Sequence, residues 1–302
     1  MEKISSEAKK RYAERVKEYK ERIDDISDRN KELELRIAKT SKSQGLTSGQ
    51  YRGDQFTDIE ALKEVNSIRF ELADRYLDIV SYYNLMNSLS LSLLGIKNES
   101  FLNDGRKSCY RSLIYMEEIV SPFIDAAFSE YQQGVESLQG FDDGSKYRFL
   151  CKLGFAIDSV IEGFGSGSKW KWSFVELQGR YAVIAKNLLN LKTFIMQLDP
   201  RIEGYSERLA HVQLVKKLLQ QSADRYREKY ELSTMRLDDI KKAILFLAAM
   251  KRLHALLGEV EEAEVVKKKM EIWKTKMEDD QKKQEMAQKM ERLKKPGGWP
   301  GG

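Results

Sequence analysis

The chain has 302 residues and a mass of 35.0 kDa, with 52 basic and 47 acidic side chains and a net charge of +5. Apolar residues make up 41 %, which is enough to bury a core and excludes a disordered chain. The longest apolar runs fall well short of the ~20 residues that span a bilayer, which excludes an integral membrane protein. Two cysteines form neither a disulfide framework nor, by themselves, a zinc site.

Proline is confined to positions 122, 200, 296 and 300, where the helical pattern of apolar residues has already ended. A proline inside a helix costs about 3 kcal/mol, so its absence elsewhere leaves long segments free to be continuous helix. No strand-type alternation competes with the helical spacing. The sequence therefore predicts an all-α fold, an elongated bundle of long amphipathic helices with an N-terminal coiled-coil-like helix.

The first predicted element is a heptad helix over residues 1–38. Its apolar positions alternate in spacing between three and four, as in a coiled-coil seam, and a polar Asn in the a row is typical of a device that fixes register and partner number. A lone helix cannot bury this seam, so it needs a helical partner, from the same chain or from another. The candidate interaction residues of the seam are Val16, Tyr19, Ile23, Ile26, Asn30, Leu33 and Ile37.

Residues 39–57 carry three glycines together with Ser and Thr, a composition typical of a flexible linker. The first part of the helical bundle is predicted over 58–162. Within it, Ser121 and Pro122 have the residue types of an N-cap and a first helical position, which predicts a helix from there to about Leu138. The first helix of this part has an apolar stripe at helical spacing, formed by Leu72, Tyr76, Ile79, Tyr83 and Met86.

A Gly/Ser segment at 163–169 predicts a hinge, and the second part of the bundle is predicted over 170–294. The opening helix of this second part is predicted to run from Trp170 to Leu198. Residues 295–302 form a Gly/Pro/Trp tail whose composition does not allow a helix.

The last predicted helix concentrates the positive charge of the chain. Eleven basic and six acidic residues lie between Lys267 and Lys295. This excess is compatible with an acidic partner, RNA or an anionic membrane. The interspersed acids weaken the argument for nucleic acid, and they would also weaken binding to an anionic membrane. Trp273 in this helix and Trp299 in the tail complete the candidate interaction residues, because tryptophan is typical of anchors at protein interfaces.

No set of residues predicts a reaction. Two histidines are too few for most metal sites, and the segment from Gly163 to Lys169 lacks the Gly-Lys-Ser order and the preceding strand of a phosphate-binding loop. We therefore expect no catalytic, metal-binding or cofactor-binding residues.

The predicted function is that of a non-enzymatic structural or scaffold protein, which assembles with copies of itself or with other subunits as a spacer, filament coat, collar or adaptor. The alternative is a cytosolic binder of an acidic surface, RNA or anionic membrane, through the basic last helix. The polar residues at the amino terminus predict a cytoplasmic protein, and a trimmed leader peptide stays open as an alternative.

Overall fold

The computed structural model describes residues 5–44, 58–165 and 167–294. Over these ranges the chain is all-α, as predicted, and no β-strand occurs in them. None of the helices in these ranges is both long and apolar enough to cross a lipid bilayer. The helices are α1 (Ser6–Ser43), α2 (Ile59–Leu94), α3 (Glu99–Val120), α4 (Phe128–Ser137), α5 (Asp143–Phe164), α6 (Lys171–Asn187), α7 (Leu191–Phe194), α8 (Tyr205–Lys229), α9 (Leu237–Leu256) and α10 (Val260–Lys294).

The chain divides into two compact units, unit 1 (Met1–Leu218) and unit 2 (Leu219–Gly302). The division falls inside α8, whereas the sequence placed a hinge at 163–169. In the structure α5 continues through Phe164 and ends at Gly165, which has a φ of +78°. A unit boundary inside a continuous helix leaves no Gly, Pro or polar signal in the sequence.

Helix α2 is the centre of unit 1, where it contacts α1, α3, α4 and α5. Because helices surround it, its buried residues are spread around the helix axis instead of forming one stripe. They include Leu62, Val65, Ile68, Phe70, Leu72, Leu77 and Val80.

Helix α1 continues to Ser43, so the first five residues of the segment predicted as a linker, 39–43, are helical. Ser41 in this last turn is buried. The remainder of the predicted linker, from residue 45 to residue 57, lies outside the described residues.

The helix predicted to open at Ser121 and Pro122 begins instead at Phe128. Ser121 ends α3 with a φ of +77°, and the segment that follows is not helical. The cause is tertiary: the side-chain amide of Asn187, on α6, donates to the carbonyl oxygens of Ser121 (3.0 Å) and Phe123 (3.2 Å). Carbonyls engaged in this way by another helix are not available to a local helix.

The single helix predicted from Trp170 to Leu198 is broken. Helix α6 ends at Asn187, and the short α7 and a 3₁₀ turn at Ile195–Gln197 follow. The side chain of Asn190 accepts from the backbone amide of Lys192 and so provides a new N-cap inside the predicted helix.

Unit 2 contains the last turns of α8 together with α9 and α10. Gly258, with a φ of +75°, turns the chain between α9 and α10, which pack against each other as an antiparallel pair. Two contacts join the end of α8 and the π-helical turn that follows it, Tyr230–Thr234, to this pair. The ring of Tyr226 stacks on that of Phe246, and the hydroxyl of Tyr230 donates to Asp280 (2.8 Å). Burial and this carboxylate raise the pKa of Tyr230 to about 12.

Candidate interaction surface

The heptad seam of α1 is covered by α2 of the same chain. Val16 and Ile23 pack with Ile79 and Met86, so the seam meets the apolar stripe that the sequence shows on α2. Farther along, Leu33 and Ile37 pack with five residues of α2, namely Ala61, Leu62, Val65, Ile68 and Leu72. Tyr19 and Ile26 are half-buried against the first of these clusters. The predicted need for a helical partner is therefore met within the chain.

Asn30, the polar residue of the a row, is buried in this contact. Its side-chain oxygen accepts from the Nε of Arg75, on α2, at 2.8 Å. One helical turn farther along α1, Glu34 accepts from the hydroxyl of Tyr115, on α3, at 2.6 Å. These polar contacts have defined partners on α2 and α3, so they specify how α1 sits within unit 1.

Of the two tryptophans predicted as interaction residues, the structure describes only Trp273. Trp273 is 4 % exposed and lies inside unit 2, with the guanidinium of Arg227 and the ammonium of Lys269 within 5.1 Å and 4.9 Å of its ring centre. Trp299 lies outside the described residues, as do the rest of residues 295–302. Trp273 thus contributes to the core of unit 2.

Helix α10 carries two apolar rows on different faces. The inner row is buried towards the rest of unit 2 and consists of Ala263, Val266, Met270 and Trp273. The second row, which we call the outer stripe, is exposed and consists of Val265, Ile272, Met286 and Met290; Ile272 is 68 % exposed. Val265, Ile272 and Met286 fall on a seven-residue repeat whose remaining member is Asp279. This is the spacing of a helix that packs along a second helix.

Charged side chains accompany the outer stripe. Lys268, Lys276 and Lys283 lie on the same side of α10 and are exposed, and Lys276 and Lys283 both approach Asp280, at 2.9 Å and 3.8 Å. Asp279 lies in the stripe itself and is exposed, and within the described ranges it makes no ion pair or hydrogen bond. The outer face therefore combines apolar, basic and acidic groups.

Helix α10 also extends beyond the start of α9, the helix on which it packs. The side-chain amide of Gln284 donates to the carbonyl of Met235, just before the start of α9. Since α9 and α10 are antiparallel, the residues of α10 after Gln284 extend past α9 for about 15 Å. Side chains are described there for residues 285–287, 289 and 290, and all of them are exposed.

The two histidines are packed inside the chain. His211 is buried, and its Nε2 donates to the carbonyl of Ala185 at 2.8 Å; burial lowers the pKa of His211 to about 4. The Nδ1 of His254 lies 2.6 Å from the carboxylate of Glu259. Over the described part of the chain, no group of three or more His, Cys, Asp and Glu side chains is arranged to hold a metal ion.

A buried polar network lies next to a cavity of about 390 Å³ between α3 and α4. Arg69 is fully buried and meets Glu118 at 2.9 Å, while Arg180 binds Glu117 through two hydrogen bonds of 2.6 Å. Burial raises the pKa of Glu118, and the guanidinium of Arg69 opposes this change. Glu117 and Glu118 are thus each paired with an arginine from a neighbouring helix, while Glu130, the third carboxylate that lines the cavity, accepts from the backbone amide of Ala127 at 2.9 Å.

Comparison with known families gives one match. A sequence model of the TP0443 family matches residues 56–281, which is about three quarters of the chain. The chain belongs to the TP0443 family. No curated protein and no solved structure matches it. The part shared with the TP0443 family runs from just before α2 into α10, so it includes Ile272 and Asp279 and leaves out α1, Met286 and Met290.

The residues of the outer stripe are visible in the sequence, but they were not distinguished there from the residues of the inner row. Met270, Trp273, Met286 and Met290 all read as one apolar series along the last helix, and only the position of α9 divides them into buried and exposed members. The signal that could have found the stripe is the seven-residue repeat, which omits Met270 and Trp273. In this member of the TP0443 family, the outer face of α10 is the candidate interaction surface.

Proposed function

We propose that the protein is a non-enzymatic scaffold that joins protein subunits through the outer stripe of α10. One observation carries this proposal: the inner row of α10 is already packed within unit 2, and a second apolar row at heptad spacing stays exposed on the opposite side. The seam of α1, which first suggested an assembly role, is covered by α2, so α10 takes its place as the joining element.

The size of the stripe indicates what kind of contact it supports. Burying four side chains of this type, each now about two-thirds exposed, gains roughly 4–8 kcal/mol before the losses of association are subtracted. Association itself costs about 4–15 kcal/mol. The apolar side chains alone therefore do not give a tight complex, and the charges beside them have to contribute. A helical partner that pairs with Lys276, Asp279 and Lys283 meets this requirement.

We place this assembly in the cytoplasm. The chain has one buried and one exposed cysteine, Cys109 and Cys151, and both are free thiols. Unpaired thiols are typical of a reducing compartment.

Photo-crosslinking in the cells that naturally make the protein tests the proposal. A photo-reactive amino acid is placed at position 272, and the matched control carries it at position 35, since Leu35 belongs to α1 in unit 1 and is 70 % exposed. We expect covalent protein adducts from position 272 at levels well above those from position 35. Equal, low yields from both positions would reject α10 as a joining surface, whatever the partner.

A second candidate function is binding of an anionic surface, favoured by the three exposed lysines beside the stripe. Asp279 argues against a lipid surface, because it would enter the apolar layer with Ile272 and Met286. Co-sedimentation with vesicles that contain anionic lipid, and with single-stranded RNA, distinguishes the two. Binding that falls between 50 and 200 mM salt is the result expected of an electrostatic surface, by about 20-fold if the three lysines each contact a phosphate of single-stranded RNA. Binding that Asp279→Lys strengthens would favour this second function.

A further inference from the structure

The outer face of α10 carries one carboxylate without a partner in the described residues, Asp279, and two lysines beside it. Asp279 lies between Ile272 and Met286 on the stripe, and its carboxylate has no partner in the described residues. Lys276 and Lys283 flank it, and both approach Asp280, which lies one helical turn from each of them along the same flank of α10, at 2.9 Å and 3.8 Å. A carboxylate in the middle of an apolar stripe needs a cation when that stripe is covered.

A second copy of α10 supplies this cation if it lies antiparallel. With Lys276 of one copy opposite Asp279 of the other, the two-fold axis passes between residues 277 and 278. The same register places Ile272 opposite Lys283, whose aliphatic stem can cover it, and Val265 opposite Met290. Symmetry forms each of these contacts twice, so both unpaired carboxylates gain a lysine.

A parallel pair has the opposite consequence. Each residue then meets its own copy, so Asp279 faces Asp279 and Lys276 faces Lys276. Like charges that face each other across a helical seam are destabilising. The charge pattern of the stripe therefore favours the antiparallel direction, and the register that pairs Asp279 with Lys276 is the one that we propose and test.

We propose that the occupant of the outer stripe is a second copy of this chain, bound antiparallel through α10 about an axis between residues 277 and 278. This inference rests on the proposed function, since it names the partner of the same surface. An acidic helix of another protein and an anionic lipid surface are the other occupants, and the experiments below separate them from the second copy.

Disulfide trapping tests the register. In a Cys151→Ser background, which removes the exposed native thiol and leaves the buried Cys109, Ile272→Cys and Lys283→Cys are made separately and given tags of different size. We expect mild oxidation of a mixture to yield about tenfold more 272–283 heterodimer than either variant yields of its own homodimer. The reason is distance: in this register positions 272 of the two copies are eleven residues apart along the axis, about 16 Å, which is too far for a disulfide.

Two outcomes would overturn the inference. Efficient homodimer from Ile272→Cys alone would show a parallel or differently registered pair. Absence of any disulfide would show that the second copy is not the occupant. If adducts to another protein still form from position 272 in cells, the proposed function survives and only this inference fails.

A charge reversal on adjacent residues gives an independent readout on the full-length chain. Asp279→Lys places two lysines opposite each other at each charged layer, whereas Glu278→Lys makes the same charge change about 100° around the helix. We expect Asp279→Lys to raise the dimer dissociation constant about tenfold in sedimentation equilibrium and Glu278→Lys to leave it within about twofold, with unchanged circular dichroism for both. Equal effects of the two substitutions would contradict the assigned register.

Discussion

Gly134 is a residue whose small size is required by one contact. It lies within α4 where that helix crosses the end of α3, and a Cβ built there overlaps the carbonyl oxygen of Ile119. A backbone atom cannot rotate away as a side chain can, so the two helices would have to separate. The close approach of α3 and α4 therefore depends on the absence of a side chain.

Replacement of this glycine gives the first prediction. Gly134→Ala should lower the free energy of unfolding by about 2–3 kcal/mol, although alanine in a helix interior is otherwise favoured by about 1 kcal/mol. Urea unfolding followed by circular dichroism measures the change. Gly140→Ala is the control, because a Cβ at Gly140 meets no atom within 4 Å. Similar stabilities for the two variants would show that α3 and α4 do not approach as described.

His211 gives a prediction on pH. Its pKa is about 4 in the folded chain and 6.5 in its ordinary state, because burial disfavours the charged ring. The unfolded chain therefore takes up a proton that the folded chain does not, and folding stability falls as the pH drops below about 6.5, levelling off below about 4. Between pH 7 and pH 5 this amounts to about 2 kcal/mol.

The variant His211→Gln keeps a side-chain N–H that can reach the carbonyl of Ala185 and removes the titration. We expect the stability of the unmodified chain minus that of the variant to decrease by about 2 kcal/mol from pH 7 to pH 5, since all other titrating groups cancel in the difference. A difference that does not change with pH would show that the imidazole is accessible to solvent.

At the scale of elements, the contact of α1 with α2 is the interaction that decides what the heptad seam does. Leu33 is 2 % exposed in this contact, and Leu35, two positions along the same helix, is 70 % exposed. Leu33→Ala should destabilise the fold by about 2–4 kcal/mol, and Leu35→Ala by less than about 0.5 kcal/mol.

Neither substitution should change the mass of the particle in light scattering, because α2 of the same chain covers the seam. A loss of mass in Leu33→Ala at unchanged helix content would contradict this assignment and return α1 to the role of a subunit contact.

The heptad seam shows which features of the fold could be predicted from the sequence and which could not. The spacing of Val16, Ile23 and Leu33 was sufficient to predict a helix with one face covered, and burial of all three confirms that such a face exists. The spacing could not name the partner, because any helix with a matching stripe satisfies it. Ile79 and Met86 on α2 offered that stripe within the chain, but only tertiary contacts distinguish it from the stripe of a second molecule.

Local signals failed where distant side chains compete for backbone groups. Ser121 and Pro122 have the residue types of a helix start, and Asn187, about 65 residues later in the chain, binds the carbonyls that such a helix would use. In α10 the seven-residue repeat marks the outer stripe in the sequence, but only the position of α9 shows which apolar row is buried and which is exposed. Element type was therefore predictable, and the boundaries and exposed faces were set by long-range contacts.

In the whole molecule, the seam of α1 is part of the folded core of unit 1, and the outer stripe of α10 is the surface that we propose for assembly. The outer stripe lies in unit 2, and the helices that bury the α1 seam lie in unit 1. Substitutions in the outer stripe of α10 should therefore alter assembly without altering the stability of unit 1. Substitutions in the α1 seam should lower the stability of unit 1 and leave assembly unchanged.

The most direct measurement is the molar mass of the chain as a function of concentration, by sedimentation equilibrium, for the unmodified protein, Ile272→Lys and the matched surface variant Leu35→Lys. We expect the mass of the unmodified protein and of Leu35→Lys to rise from 35.0 kDa towards twice that value, while Ile272→Lys stays at 35.0 kDa. Equal masses for all three proteins at every concentration would contradict the assignment of α10 as the surface that joins two copies.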